Sequence, residues 1–129
     1  MSGFTDYLED ALLKHVFTNT AYTSPTTVYA ALFTVAPSDT GGGTEVSGGA
    51  YARQSMAFSV SGTDTLATNS AAVEYPTATA NYGPVVAVGI FDASTSGNLL
   101  AYANLTTSKT VSTGDVFRFN AGDVDITLT

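Results

Sequence analysis

From Thr27 to the C-terminus, short runs of apolar and β-branched residues alternate with clusters of Gly, Ser, Thr, Asn and Asp. This is the pattern of strands separated by turns. Thr27–Thr34 opens the series. Pro84–Phe91 is the most apolar run and predicts a central strand, and Asp92–Asn98 a hairpin loop that returns through Leu99–Leu105. Between Tyr51 and Val60 the residues alternate, with Ala52, Gln54, Met56, Phe58 and Val60 as the better core face. Gly62 and Asp64 predict a turn. Shorter strands are expected near 65–68, 70–75, 109–111, 116–120 and 124–129, the last with Val124, Ile126 and Leu128 on one face. Gly114-Asp115-Val116 and Gly122-Asp123-Val124 read as repeated turn chemistry. The sum is a mainly β chain, a single-domain β-sandwich or jelly roll of about eight to ten antiparallel strands over residues 1–129.

One segment breaks the pattern. In residues 6–17 the apolar positions Leu8, Ala11, Leu12 and Val16 follow helical spacing, widened by Leu13 and Phe17. Asp6 and Glu9 read as a capping box, and Lys14 and His15 suit the negative end of the helix dipole. The stripe is expected to dock on the sandwich or on a neighbouring subunit. Residues 1–5 read as an N-terminal arm that includes Phe4, and 36–50 as an extended Gly-rich loop. Deleting residues 1–5 or the 41–43 loop is expected to weaken attachment to the particle while leaving the melting temperature nearly unchanged.

Composition narrows the function. One domain fits 129 residues, and 44% of them are hydrophobic, enough for a core. Only 12% are charged, about half the usual share, so the surface is largely Thr, Ser, Asn and Gly, which are cheap to desolvate in a protein contact. The net charge of −7 and four scattered cations argue against nucleic acid and anionic membranes as partners. There is no cysteine, hence no disulfide and no thiolate chemistry. No signal peptide or membrane-spanning run is expected.

The chemistry-bearing residues are few. His15, the one imidazole, reads as a helix-end residue rather than part of a triad. Asp115, Asp123 and Asp125 are either turn formers or oxygen ligands for calcium; the turn reading is preferred and no metal or cofactor is expected. Gly41-Gly42-Gly43 lacks the ending of a phosphate loop and reads as a flexible tip or an arm that orders on a partner, with Glu45 beside it. Arg53 and Arg118 read as solvated edge guards or as inter-subunit ion pairs to Glu45, Glu74 or Asp92. Some of the seven tyrosines are expected at interfaces. Catalytic and cofactor-binding residues are expected to be none, and the chain is not expected to be an enzyme.

Several spaced motifs agree in order with a known group. They are Tyr7-Leu8-Glu9-Asp10-Ala11-Leu12-Leu13-Lys14-His15-Val16-Phe17, Thr20 to Thr34, Gly41 to Gln54, Val88 to Ala93, Gly97 to Tyr102 and Gly114 to Phe119. Over residues 6–128 the chain resembles small virion structural proteins of tailed bacteriophages. The resemblance implies a β-sandwich with no catalytic residues to carry over. Such relatives are labelled tail fibre proteins, and some resemble capsid decoration, or cement, proteins that sit as trimers on the head. The expectation is a homotrimeric cement protein on the outer capsid, with the major capsid protein and itself as partners and Phe4, Gly41, Gly42, Gly43, Glu45, Arg53 and Arg118 as interface residues. A compact body, a polar-neutral surface and two flexible arms favour it; a fibre shaft usually needs a repeat or coiled coil. The alternative is a tail fibre or collar appendage, or a host-glycan-binding module in which Tyr22, Tyr51, Tyr75 or Tyr82 stack on sugars.

Overall fold

The computed structural model describes residues 2–60 and 66–127; the turn expected at Gly62 and Asp64, and Leu128, lie outside them. The apolar run forms β8 (Gly83–Phe91), flanked by β2 (Tyr29–Val35) and β9 (Leu99–Val111). β1 (Ser2–Phe4) pairs with β9 on one edge, and β3 (Thr44–Glu45) and β4 (Gln54–Ser55) both pair with β2 on the other. These six strands make one antiparallel sheet. Opposite lie β5 (Phe58–Val60), β6 (Leu66–Asn69) and β11 (Asp125–Thr127) in one small sheet, and β7 (Val73–Glu74) with β10 (Arg118–Phe119) in another. The helix α1 (Asp6–Phe17) falls where its spacing predicted. The architecture is a β-sandwich.

The core fills the space between the layers. Leu32, Val85, Val88 and Ile90 of the large sheet meet Met56, Val73, Tyr75, Phe117, Phe119, Val124 and Ile126. Each such side chain contributes about 1.5–3 kcal/mol on burial. Tyr75 is central: it stacks on Tyr51 at 6.2 Å and meets Phe117 and Phe119 edge-on, while its hydroxyl donates to the Ala30 carbonyl at 2.7 Å. A second buried cluster, Ala31, Phe33 and Ala87, lies on β2 and β8, with Ala36, Val86 and Phe91 packed against it. Phe33 lies so close across β8 that a Cβ on Gly89 would approach it to 2.6 Å. Burial on both faces explains why β8 reads as a continuous apolar run.

Four expectations change. Eleven strands lie among the described residues, and one of them is Ser2–Phe4, expected as a free arm, which pairs with Ala101–Ala103. The expected strands 99–105 and 109–111 are one strand: Ala87 faces Asn104 while Val85 faces Lys109, so β9 bulges between them rather than ending. The alternating run 51–60 is two strands in different sheets. The chain crosses between layers at Met56, which is buried, and the crossing resets the alternation, leaving Ala52 and Val60 exposed. The Gly-rich loop is held: Ser38 and Gly41 exchange backbone hydrogen bonds of 2.8 and 2.9 Å, and Gly43, at φ +74°, sits where a Cβ would come within 2.6 Å of the Val35 carbonyl oxygen.

Candidate interface on the N-terminal helix

Helix α1 is pinned at its start. The cap is Thr5, not Asp6; its hydroxyl accepts from the Leu8 amide at 3.5 Å and donates to the Leu99 carbonyl at 2.6 Å. The amides of Thr5 and Asp6 donate to the carbonyls of Leu100 and Asp39 at 2.9 and 2.8 Å. Asp39 is anchored in turn by the Tyr102 hydroxyl at 2.5 Å. That bond, with burial, pushes the phenol up to about 12. A Thr just before an acidic first turn is a legible cap, and the pattern allowed it to be found. At the far end the Thr18 hydroxyl donates to the Lys14 carbonyl at 2.7 Å, and His15 Nδ1 lies 3.2 Å from the Thr20 carbonyl oxygen.

The rest of the helix is scarcely docked. Leu8, Ala11 and Leu12 are half-buried and no helical residue is buried. Leu13, Val16 and Phe17 are 59, 66 and 78% exposed. With Phe4, Glu9 and Leu12 they line an open groove of about 270 Å³. A helix this short is marginal without tertiary contacts, and an amphipathic helix ordinarily turns its apolar side to a core. Here the widened side of the predicted stripe points to solvent. Clustered apolar exposure of this kind marks a contact surface.

The other expected contact residues are used inside the chain. Arg53 forms a two-point pair with Glu45, at 2.9 and 2.8 Å, and donates to the carbonyls of Ala93 and Ser96 at 3.0 and 2.7 Å. Its guanidinium lies 3.6 Å from the centre of the Phe91 ring. Burial pushes the Glu45 carboxyl up, but hydrogen bonds from Arg53 and Tyr51 outweigh it and hold it below its ordinary range. Tyr51 fills the gap between β3 and β4: its hydroxyl donates to Glu45 at 2.6 Å and accepts from the Leu32 amide at 3.0 Å. Burial and the carboxylate raise its pKa. Arg53 is therefore a staple within the chain.

Comparison with known proteins decides the family. The model of the podophage GP4 fiber I protein gp80 family matches residues 3–127. The chain belongs to this family. No curated protein matches it. Membership makes it a phage virion structural protein.

Against that identity the remaining candidates fall into place. Arg118 of this fiber I relative pairs with Glu74 of its own chain at 3.6 Å, both side chains more than half exposed. Gly41, Gly42 and Gly43 form the tight turn described above rather than a loose tip. Phe4 is half-buried and belongs to the helix groove. Asp115 and Asp123 each accept the amide three residues back, Ser112 at 2.9 Å and Asn120 at 2.8 Å, the same turn twice. Asp125 accepts from Thr68 at 2.7 Å. Tyr51, Tyr75 and Tyr82 stack together in the interior, so three of the four rings considered for sugar stacking face the core. One interior residue gave no sequence signal. Asn69, 1% exposed, donates to Ala71 and Asn120 carbonyls at 3.0 and 2.9 Å and accepts from the Val124 amide at 2.8 Å.

Proposed function

We propose that this chain is a non-enzymatic globular subunit of a phage fibre or appendage, joined to its neighbours through the apolar face of α1. The observation that carries the reading is the outward-facing Leu13, Val16 and Phe17 on a helix firmly capped at its start. The family description supports a fibre over a capsid role. The decoration reading leaned on two flexible arms, and both have structural work in the body: Ser2–Phe4 is a paired strand, and the 38–44 loop anchors α1 and Tyr102. A fibre built from such a body gains length by linking globular units, without a coiled-coil shaft.

Antibody labelling of intact virions, viewed by electron microscopy, tests this. Gold particles on appendages support a fibre subunit. Labelling spread evenly over the head would place the protein on the capsid lattice and restore the decoration reading.

A further inference from the structure

We infer that the chain carries a binding site for a sugar unit bearing one carboxylate, in the trough between the bulge of β9 and strand β10; the site stands on its own geometry and goes beyond the fibre-subunit reading. Two open clefts of about 330 and 370 Å³ lie side by side there, and Lys109, Phe117 and Arg118 line both. Their size is at the lower end of the range for ligand clefts. The bulge builds one wall. Val85 faces Lys109 and Ala87 faces Asn104, so Val86 alone opposes Leu105–Ser108. Extra residues of this kind turn side chains out of the ladder, and here they bring Thr106, Thr107 and Lys109 to the first cleft. The other wall is β10 with the residue before it: Arg118 is exposed, while the buried rings of Phe117 and Phe119 supply the apolar part.

The chain has four cations against eleven carboxylates, yet two of the four meet in this trough. Lys14 and Arg53 are committed elsewhere, to Asp10 and Glu45 at 2.8 Å each. Lys109 is exposed and forms no ion pair among the described residues. Arg118 is held in place without being used up. Its Nε donates to the Asn120 side-chain oxygen at 3.0 Å, and Glu74 approaches one amino group only to 3.6 Å, a loose contact that a carboxylate from outside replaces at little cost. Asn120 is itself fixed, because its carbonyl accepts from buried Asn69 at 2.9 Å and its amide donates to Asp123 at 2.8 Å. A guanidinium oriented in this way offers a two-point fork to a carboxylate, and Lys109 adds a point charge. The surroundings limit the ligand to a single negative charge. Asp123 lines the first cleft and Asp115 the second, so a polyanion is repelled by both and by the net charge of −7. The same two carboxylates keep acceptor capacity beyond the turn amides they bind. With the exposed hydroxyls of Thr106, Thr107 and Thr110, they match the hydroxyl groups of a sugar ring.

NMR titration of the backbone amide shifts of the full chain is the test, with sodium glucuronate and sodium galacturonate as ligands and glucose, galactose and sodium acetate as comparisons. The expected result is saturable movement of the amides of Thr106–Thr110 and Phe117–Asn120, with a dissociation constant on the order of 5 mM for at least one uronate. The neutral sugars and acetate, each offering only part of the contacts, bind at least about tenfold more weakly. Lys109→Gln and Arg118→Gln each weaken uronate binding by at least about fivefold; both positions are exposed, so the melting temperature stays unchanged. Lys14→Gln, on the helix, leaves the binding as it was. No movement up to about 100 mM uronate overturns the inference. So does acetate binding as well as the uronates, or Arg118→Gln weakening binding no more than Lys14→Gln. Virion labelling is read separately: uronate binding by a protein found on the head rejects the fibre-subunit reading and leaves the site standing, while appendage labelling without uronate binding does the reverse.

Discussion

Arg53→Ala removes the staple between β3, β8 and the 92–98 loop. The side chain is 8% exposed and its Glu45 partner 25%. Removing one member of a buried pair costs about 3–5 kcal/mol, because the remaining charge stays desolvated. Glu45 keeps some solvent and its bond from Tyr51, which places the loss near the lower end, about 3 kcal/mol, including the stacking on Phe91. For a domain of this size that lowers the melting temperature by about 10 °C. Urea unfolding followed by circular dichroism measures it. Arg118→Ala is the control: its pair with Glu74 is long and exposed, so its loss stays within about 0.5 kcal/mol. The double variant R53M/E45Q loses less than the sum of its singles, since neither partner is left charged and alone. If Arg53→Ala costs no more than Arg118→Ala, the network is a surface pair and the reasoning fails.

Gly43→Ala forces a side chain onto φ +74° and into the Val35 carbonyl, and is expected to cost at least about 2 kcal/mol; Gly42→Ala meets no atom within 4 Å and loses about 1 kcal/mol, so equal losses in thermal melts would refute the packed-turn account. Asn69→Ala strands two carbonyls and the Val124 amide and is expected to cost about 3 kcal/mol, with loss of hydrogen-exchange protection at Val124; an unchanged urea midpoint would contradict it. Because Glu45 titrates lower in the folded chain than its ordinary 4.5, the unfolded chain takes up the proton first. Its contribution is complete above that value and fades as pH falls through the native one. Between about pH 6 and about pH 3 the wild type should therefore lose more stability than Glu45→Gln, and equal losses would remove Glu45 from the acid response.

What was legible in the sequence is what depends on local pattern. Helix α1, β2, β8 and the start of β9 follow from spacing, and the Gly-Asp turns from residues whose side chains bond their own backbone. What was not legible depends on partners distant along the chain. Ser2–Phe4 is a strand because β9 offers it an edge 97 or more residues away. Arg53 and Glu45 look like free surface charges until β3 and β4 are brought to the same edge of β2. Tyr51 and Asn69 carry ordinary side chains whose roles come from a missing rung in one sheet and a turn next to another. The candidate interface was half legible: the helical stripe and its widening by Leu13 and Phe17 were in the pattern, but which side met the sandwich was decided by Thr5 and the Leu99–Leu100 carbonyls. The segments expected as free arms are held against the body by partners far along the chain.

The central claim, that this is a subunit of a fibre, is tested most directly by counting it in purified virions, by quantitative mass spectrometry against the portal and the major capsid protein. The account predicts an abundance on the scale of the tail and appendage proteins, well below that of the capsid lattice. An abundance comparable to the major capsid protein would contradict it and return the chain to the head surface.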